Sequence, residues 1–465
     1  MLLGVCAAGV SACAQTPLPE LNATDTPKAF EQPSAANAPL WPARDWWQGF
    51  DSTELNGVIA SVEAENLSLA AAEQRILEAD ARVRQAGAGL LPTVNASASA
   101  NRRGANVPGV SDLSFGDSFG LGISASYELD FWGANRDALV AAQQARKASG
   151  ADRETVALTQ VSSAANTYFQ LLSLRARLAI AQLNLENAQA VLQVTQARVN
   201  DGIATPLELA QQLGQVAAEQ AAIPPLQQQE LATRDALAVL TGRPPEGFNV
   251  SGQDLETIGA PQVAPGLTSD LLARRPDIVT AEANLEAAHA DLAAARTALF
   301  PSISLTGSGG LSSTVLTKLL TDPAASVGLG ISLAQVVFDG GAREAQTDEA
   351  VAREQELLAN YRNSVIGAFS DVENALGNIG HLEQQEAFQI EEANQSQRAF
   401  DIVQAQYREG LATYLTLLDS QRTLYQARDQ LSQIKLARLQ ALIALYQALG
   451  GGWRKEDLDA SLAQK

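Results

Sequence analysis

Few residues in this sequence stand in patterns that do chemistry. Gly116-Asp-Ser-Phe-Gly120 fits the G-x-S-x-G spacing that presents a serine nucleophile on a sharp turn. That elbow needs a strand, a turn and a helix in succession, whereas these residues run directly into an alternating apolar pattern, and the similar stretch from Ser326 lacks the motif. His289 and His381 are the two histidines, each inside a helical stretch with no carboxylate or second ligand at a recognisable metal spacing. Gly307-Ser-Gly-Gly310 lacks the Lys-Ser/Thr of a phosphate loop and reads as a flexible hairpin. The pattern points away from an enzyme and implies no metal and no cofactor.

The two cysteines, Cys6 and Cys13, lie too near the start to staple a folded domain. Val10-Ser11-Ala12-Cys13 has the form of a bacterial lipobox, cut before a cysteine that is then acylated, which makes residues 1–12 a lipoprotein signal peptide and Cys13 the lipidation site. Cys6 fits worse, with Val5 where a small residue is wanted, and the stretch lacks the Lys or Arg of a signal start. The 465 residues carry 52 Asp and Glu against 32 Lys and Arg, a formal charge of -20, and no basic block supplies the footprint that nucleic acid requires. Aromatic residues are only 5%, which favours long helices packed through small side chains. No apolar run reaches the roughly 20 residues of a spanning helix, so any membrane crossing must be made by β-structure.

An internal duplication organises the chain. Ser118–Ser124 recurs as Ser326–Ser332, and Asp201-Gly-Ile-Ala-Thr205 as Glu409-Gly-Leu-Ala-Thr413, both at an offset of 208. Leu90-Leu91-Pro92 matches Leu299-Phe300-Pro301 at 209, and Phe131-Trp-Gly133 matches Phe338-Asp-Gly340 at 207. The copies run over 52–242 and 268–451, with a Pro/Gly-rich connector at 243–267, an N-terminal anchor and extended segment at 13–51 and a tail at 452–465.

Each copy follows one plan: helix, strand, strand, long helix, helix. The first helix, about Leu55 to Leu90 and again Asp270 to Leu299, stops at Pro92 and Pro301. Period-two alternation marks strands at about 93–101 and 118–130, repeated at 302–313 and 326–338. The proline-free Ala134–Asn200 and Ala342–Arg408 each read as one helix about 100 Å long at about 1.5 Å per residue. Leu171, Leu178, Leu185, Leu192 and Val199 keep the seven-residue spacing of coiled-coil packing. Gly202 and Gly410 then turn the chain into a returning helix, which Pro224-Pro225 should kink or break in the first copy only. Backbone groups in lipid are satisfied only in helices or closed barrels, and four strands cannot close when the smallest membrane barrels have about eight. The chain must assemble to insert; a dimer would supply eight strands and a trimer twelve.

Trp46-Trp47-Gln-Gly-Phe50, Asn66-Leu-Ser-Leu-Ala70, Leu272-Ala-Arg-Arg-Pro-Asp-Ile278, Phe300-Pro-Ser-Ile-Ser304 and Tyr414-Leu-Thr-Leu-Leu-Asp-Ser-Gln-Arg422 resemble the outer-membrane efflux protein family, the TolC-like ducts, in its NodT-type lipoprotein branch. The resemblance implies a mostly α fold with membrane β: a homotrimer with a twelve-stranded barrel in the outer membrane, continuous with a long periplasmic α-helical barrel. It implies a passive exit duct of a tripartite efflux system for small molecules, with a periplasmic adaptor (membrane fusion protein) and an inner-membrane resistance-nodulation-division transporter as partners and no nucleic acid. Asp201, Gly202, Ile203 and Glu409, Gly410, Leu411 would be the periplasmic tips where the adaptor docks. Leu415 and Asp419, four apart on one helix face, match the family's periplasmic gate, while the first copy has Leu207 and Gln211. The competing role for Asp419 is a solvated residue paired with Arg422. Type I secretion ducts share the architecture, and a lipid-anchored coiled-coil adaptor would share the long helices but not the four strands.

Overall fold

The computed structural model describes residues 27, 29–31, 40–105, 114–266 and 268–458; Cys6, Cys13 and the signal segment lie outside them. The elements are α1 (Thr53–Glu65), α2 (Leu67–Ala88), β1 (Thr93–Ala105), β2 (Ser114–Glu128), α3 (Ala134–Asn200), α4 (Pro206–Leu240), α5 (Pro276–Thr297), β3 (Ser302–Ser313), β4 (Ala324–Ala334), α6 (Ala342–Arg408) and α7 (Tyr414–Ala448). Both long helices are unbroken, because neither holds a proline and each ends at a glycine with positive φ (Gly202, +72°; Gly410, +76°).

Several local expectations are corrected. The first helix of copy one is two helices: Asn66 leaves helical geometry, its side-chain Oδ1 accepts from the amides of Ser68 and Leu69, and its Nδ2 donates to the Leu240 carbonyl. Its counterpart starts at Pro276, after a 3-10 turn at Thr268–Ala273, since proline is at home only in a helix's first turn. Pro224-Pro225 does not break α4. The carbonyls they orphan belong to Gln220 and Ala221, which are exposed, so water can satisfy them. Gly307–Gly310 is no hairpin; it lies inside β3, paired on both sides. Strand β1 runs on to Ala105 and β2 begins at Ser114, beyond the expected 101 and 118, and β4 ends at Ala334, with 335–338 outside it.

The chain forms two compact units that cut across the two sequence copies. The first contains 75–150 and 280–362 and holds one antiparallel sheet in the order β1-β2-β3-β4. Side-chain alternation gives this sheet two unlike faces. One carries Val94, Ala96, Ala98 and Ala100, then Phe119, Leu121 and Ile123, then Ile303, Leu305 and Leu311, then Val327, Leu329, Ile331 and Leu333. The other carries Asn95, Ser97, Ser99, Ser124, Ser304, Thr306, Ser308 and Ser332 among glycines. Below the strands, Trp132 stacks on Phe300 (5.0 Å) and donates through Nε1 to the Pro301 carbonyl (2.7 Å). An ion pair joins Arg146 to Asp80, and a hydrogen bond joins His289 to Glu354.

The second unit comprises the described residues of Asn22–Gln74, Ala151–Val279 and Asn363–Lys465. Its aromatic centre stacks Trp46 on Tyr446 (5.0 Å) and sets Phe50 edge-on to Phe169 (5.0 Å). The connector is tied down by Glu54, whose carboxylate accepts from the Ser251 amide (2.5 Å) and hydroxyl (2.9 Å), the Gly252 amide (2.9 Å) and the Tyr168 hydroxyl (3.0 Å). Partly buried Arg275 grips Asp277 and Asp371 and reaches the Ala448 carbonyl at the end of α7, which gives the Arg-Arg-Pro-Asp motif a structural task.

Candidate channel tip and membrane sheet

At one end of the second unit, α3 turns into α4 and α6 into α7 by the same device. The amides of Ile203 and Leu411 reach back to the Arg198 and Gln406 carbonyls (both 2.8 Å), which closes the first helix of each pair. Thr205 and Thr413 then cap the returning helices by accepting from Glu208 (3.3 Å) and Thr416 (3.2 Å). Asp201, Gly202, Ile203, Glu409, Gly410 and Leu411 are all exposed at these turns, with Ile203 at 65% and Leu411 at 80% despite being apolar.

Behind the turns lies a core of Val191, Phe400, Tyr407, Tyr414, Leu417, Leu418, Leu424 and Tyr425. Its polar members are joined in a chain. Tyr414 donates to the side-chain oxygen of fully buried Gln212 (2.9 Å), whose Nε2 donates to the Ala188 carbonyl (2.8 Å). Burial pushes the Tyr414 hydroxyl up to about 12, so it stays a donor at any physiological pH. Arg198 lies over the Tyr407 ring (4.8 Å) and donates to the Tyr407 carbonyl (2.7 Å), so the two helix pairs are pinned to each other at the tip.

Leu415 and Asp419 stand together on the exposed face of α7, with Leu415 at 70%; Tyr414, Leu417, Leu418 and Gln421 are buried on the other face. Leu207 and Gln211 are exposed in the same way on α4. Arg422 does not pair with Asp419 and instead donates to Gln215 (3.2 Å). Burial raises the carboxyl of Glu219, against the pull of Gln215 and Arg422. Gln212 and Arg198 escape sequence reasoning, since their partners Tyr414 and Tyr407 stand on other helices, more than 200 residues along the chain.

The other candidates resolve simply. Ser118 lies within β2 opposite Asn101, without the strand-turn-helix setting of a nucleophile elbow. His289 does have a carboxylate neighbour, Glu354 at 2.6 Å, brought 65 residues along the chain by packing of α5 on α6. Among the described residues no group of three or more metal-ligating side chains assembles.

The family model for outer membrane efflux protein matches residues 58–243 and 267–451, most of the chain and both copies. The chain belongs to the outer membrane efflux protein family. It is 40% identical, over 96% of its own length and 95% of the relative's, to the pyoverdine export outer membrane protein OpmQ of Pseudomonas aeruginosa. It is 30% identical to the cation efflux system protein CusC of Escherichia coli, over 88% of each. Among solved structures it superposes on the outer-membrane channel OprN with a TM-score of 0.84 at 29% identity, covering 94% of this chain and 99% of that one. The open state of the MtrE channel of Neisseria gonorrhoeae gives 0.83 at 28%, covering 95% and 98%. The protein is thus an efflux channel of the outer membrane, extending into the periplasm.

Proposed function

We propose that three copies close one twelve-stranded barrel and act as the passive exit duct of a tripartite efflux system. The observation that carries this is the four-stranded sheet with one apolar face and two open edges. In lipid such edges must be paired, and four strands are too few to pair with themselves. A periplasmic adaptor docks on the exposed turns at Asp201–Ile203 and Glu409–Leu411, where apolar side chains face solvent. An inner-membrane transporter of the resistance-nodulation-division type supplies the energy.

Leu415 and Asp419 form the gate. With threefold symmetry the three Asp419 carboxylates meet near the axis as a ring that repels anions and attracts cations, while Gln211 in the equivalent place keeps the ring to three charges. The absence of an Asp419–Arg422 pair supports this role. Cys13 carries the lipid that ties each protomer to the outer membrane; one chain alone anchors marginally, and the barrel supplies the second attachment.

The cargo is a small molecule, and a siderophore of the pyoverdine kind is the first to test, because relatives at 40% and 42% identity bear that export function in their names. Cells lacking the protein should retain the cargo in the periplasm and release less to the medium, and the tagged protein should co-purify with an adaptor and a transporter. Unchanged release together with purification of the channel alone would remove the proposal.

A further inference from the structure

Alternation along β1 and β2 sets one cation where the pattern asks for an apolar residue. The described strands hold four charged residues, Arg102, Arg103, Asp117 and Glu128. Arg103, opposite Gly116, and Glu128, opposite Ser304, fall on the polar face. Arg102 and Asp117, opposite each other, fall on the apolar face, in line with Ala100 and Phe119. A charge turned to lipid is strongly unfavourable at mid-depth and tolerated only near the headgroups. Arg102 stands where it is tolerated: a tilted strand crosses hydrocarbon in about 9–11 residues, and Arg102 is the tenth residue of β1. It lies at the end of the strand away from α2 and α3, which in a channel extending into the periplasm is the extracellular end.

The side chain is also held in place. Gly104, opposite Phe115, leaves room for that ring to lie across β1: an added Cβ would sit 2.8 Å from it. The ring so seated takes the Arg102 guanidinium over its face, 5.4 Å from the centroid, and Asp117 Oδ1 stands 3.7 Å from Nε. Those contacts use Nε and one flat side of the group. No described residue hydrogen-bonds the two Nη groups, and the side chain is 70% exposed.

We propose that Arg102, steadied by Phe115 on Gly104, binds the phosphate of an anionic outer-leaflet lipid of the phosphorylated glycolipid kind, as in lipid A, on the outside of the barrel. The proposal rests on the barrel assembly proposed above and adds a ligand to it. A free guanidinium fork matches two phosphate oxygens at once, which a point charge does not. The lipid, and not a dissolved anion, is the source because of the face on which the arginine stands. Acyl chains below the headgroup meet Ala98, Ala100, Phe119 and Leu121 on the same face, contacts that a dissolved anion has no means to use. Arg103 carries the same charge one residue along the chain and faces the interior with Asn101 and Ser99. It is the built-in control.

The test titrates fluorescent lipid A, phosphorylated or enzymatically dephosphorylated, into the full chain purified as a heat-modifiable oligomer, with a chelator present so that no divalent cation bridges lipid to Asp117. Wild type should bind the phosphorylated form about fivefold more tightly, the worth of one basic residue at an anionic membrane surface. Arg102→Gln should lose that preference and Arg103→Gln should keep it. Asp117→Asn, which removes the neighbouring carboxylate, should keep or increase it. If Arg102→Gln does not assemble, Arg102→Lys takes its place and should lose part of the preference, since it keeps the charge without the fork. Displacement of lipid A by millimolar inorganic phosphate would assign the site to a dissolved anion, and equal loss in Arg102→Gln and Arg103→Gln would assign the effect to the charge of the rim as a whole; either result overturns the proposal. A wild-type oligomer without any preference also overturns it and leaves the barrel standing. Wild-type chains that form no oligomer in lipid overturn the barrel reading itself.

Discussion

Replacing Ile123 by arginine tests which face of the sheet meets lipid. Ile123 sits on β2 midway between Phe115 and Phe131, eight residues from each, and all three are exposed in a single chain. Eight residues at about 3.3 Å span about 26 Å along a strand, or roughly 19 Å of depth at a tilt of about 45°. The hydrocarbon half-thickness is about 15 Å, so with Ile123 near the mid-plane Phe115 lies at or beyond one edge, and Phe131 comes three residues past the end of β2 at Glu128. An arginine there should cost about 2–4 kcal/mol per chain, and roughly 6–12 kcal/mol over a trimer. The neighbouring residue provides the control: Ser124 faces the other way, opposite Asn95 and Ser308, and an arginine there would point into water. The assay is urea unfolding of the lipid-reconstituted protein, with the fraction of heat-modifiable oligomer as a second readout. Ile123→Arg should lower the midpoint strongly and Ser124→Arg hardly at all. Equal loss in both variants, or greater loss in Ser124→Arg, would refute the assignment of the faces.

Three further outcomes follow from the second unit. Leu415→Ala with Asp419→Ala should raise the conductance of the channel in planar bilayers and the leak of the outer membrane to small antibiotics; unchanged conductance would remove both residues from the gate. Tyr414→Phe deletes the donor to buried Gln212 and should destabilise the tip by about 1–3 kcal/mol in urea unfolding, a loss that Tyr414→Phe with Gln212→Leu should partly recover. Glu54 is raised by burial but lowered more by its bonds from Ser251, Gly252 and Tyr168, so its carboxyl lies below the ordinary 4.5. A carboxylate lowered on folding stabilises fully above its unfolded value and loses that contribution as pH falls through the folded one. Stability should therefore drop as the pH is taken below about 4.5, and Glu54→Gln, already weaker at neutral pH, should show a smaller drop across that window. Parallel acid curves for the two proteins would count against the connector clamp.

Sequence reading worked where the signal is local and repeated. The bounds of α3 and α6 were legible because 67 residues without proline end at a glycine, and propensity acts residue by residue. It failed where one side chain or the solvent decides. Asn66 splits a helix because its amide finds the Leu240 carbonyl, 174 residues away, and Pro224-Pro225 leaves α4 whole because the orphaned carbonyls face water. Leu415 and Asp419 were legible as a pair because four residues make one helical turn; the network of Tyr414, Gln212 and Arg198 behind them was not, since its partners come from different helices.

By itself, then, the amino-acid order determined the duplicated plan, the length of the helices and the two-sidedness of each strand, all of which depend on periodicities that a chain carries before it folds. Only the tertiary structure decided that the two repeats are divided crosswise into a sheet unit and a helical unit, and that Glu54, Arg275 and Gln212 hold distant segments in place. The physical reason is that a hydrogen bond to a buried group depends on where two remote segments meet, and no local pattern of residues encodes that meeting.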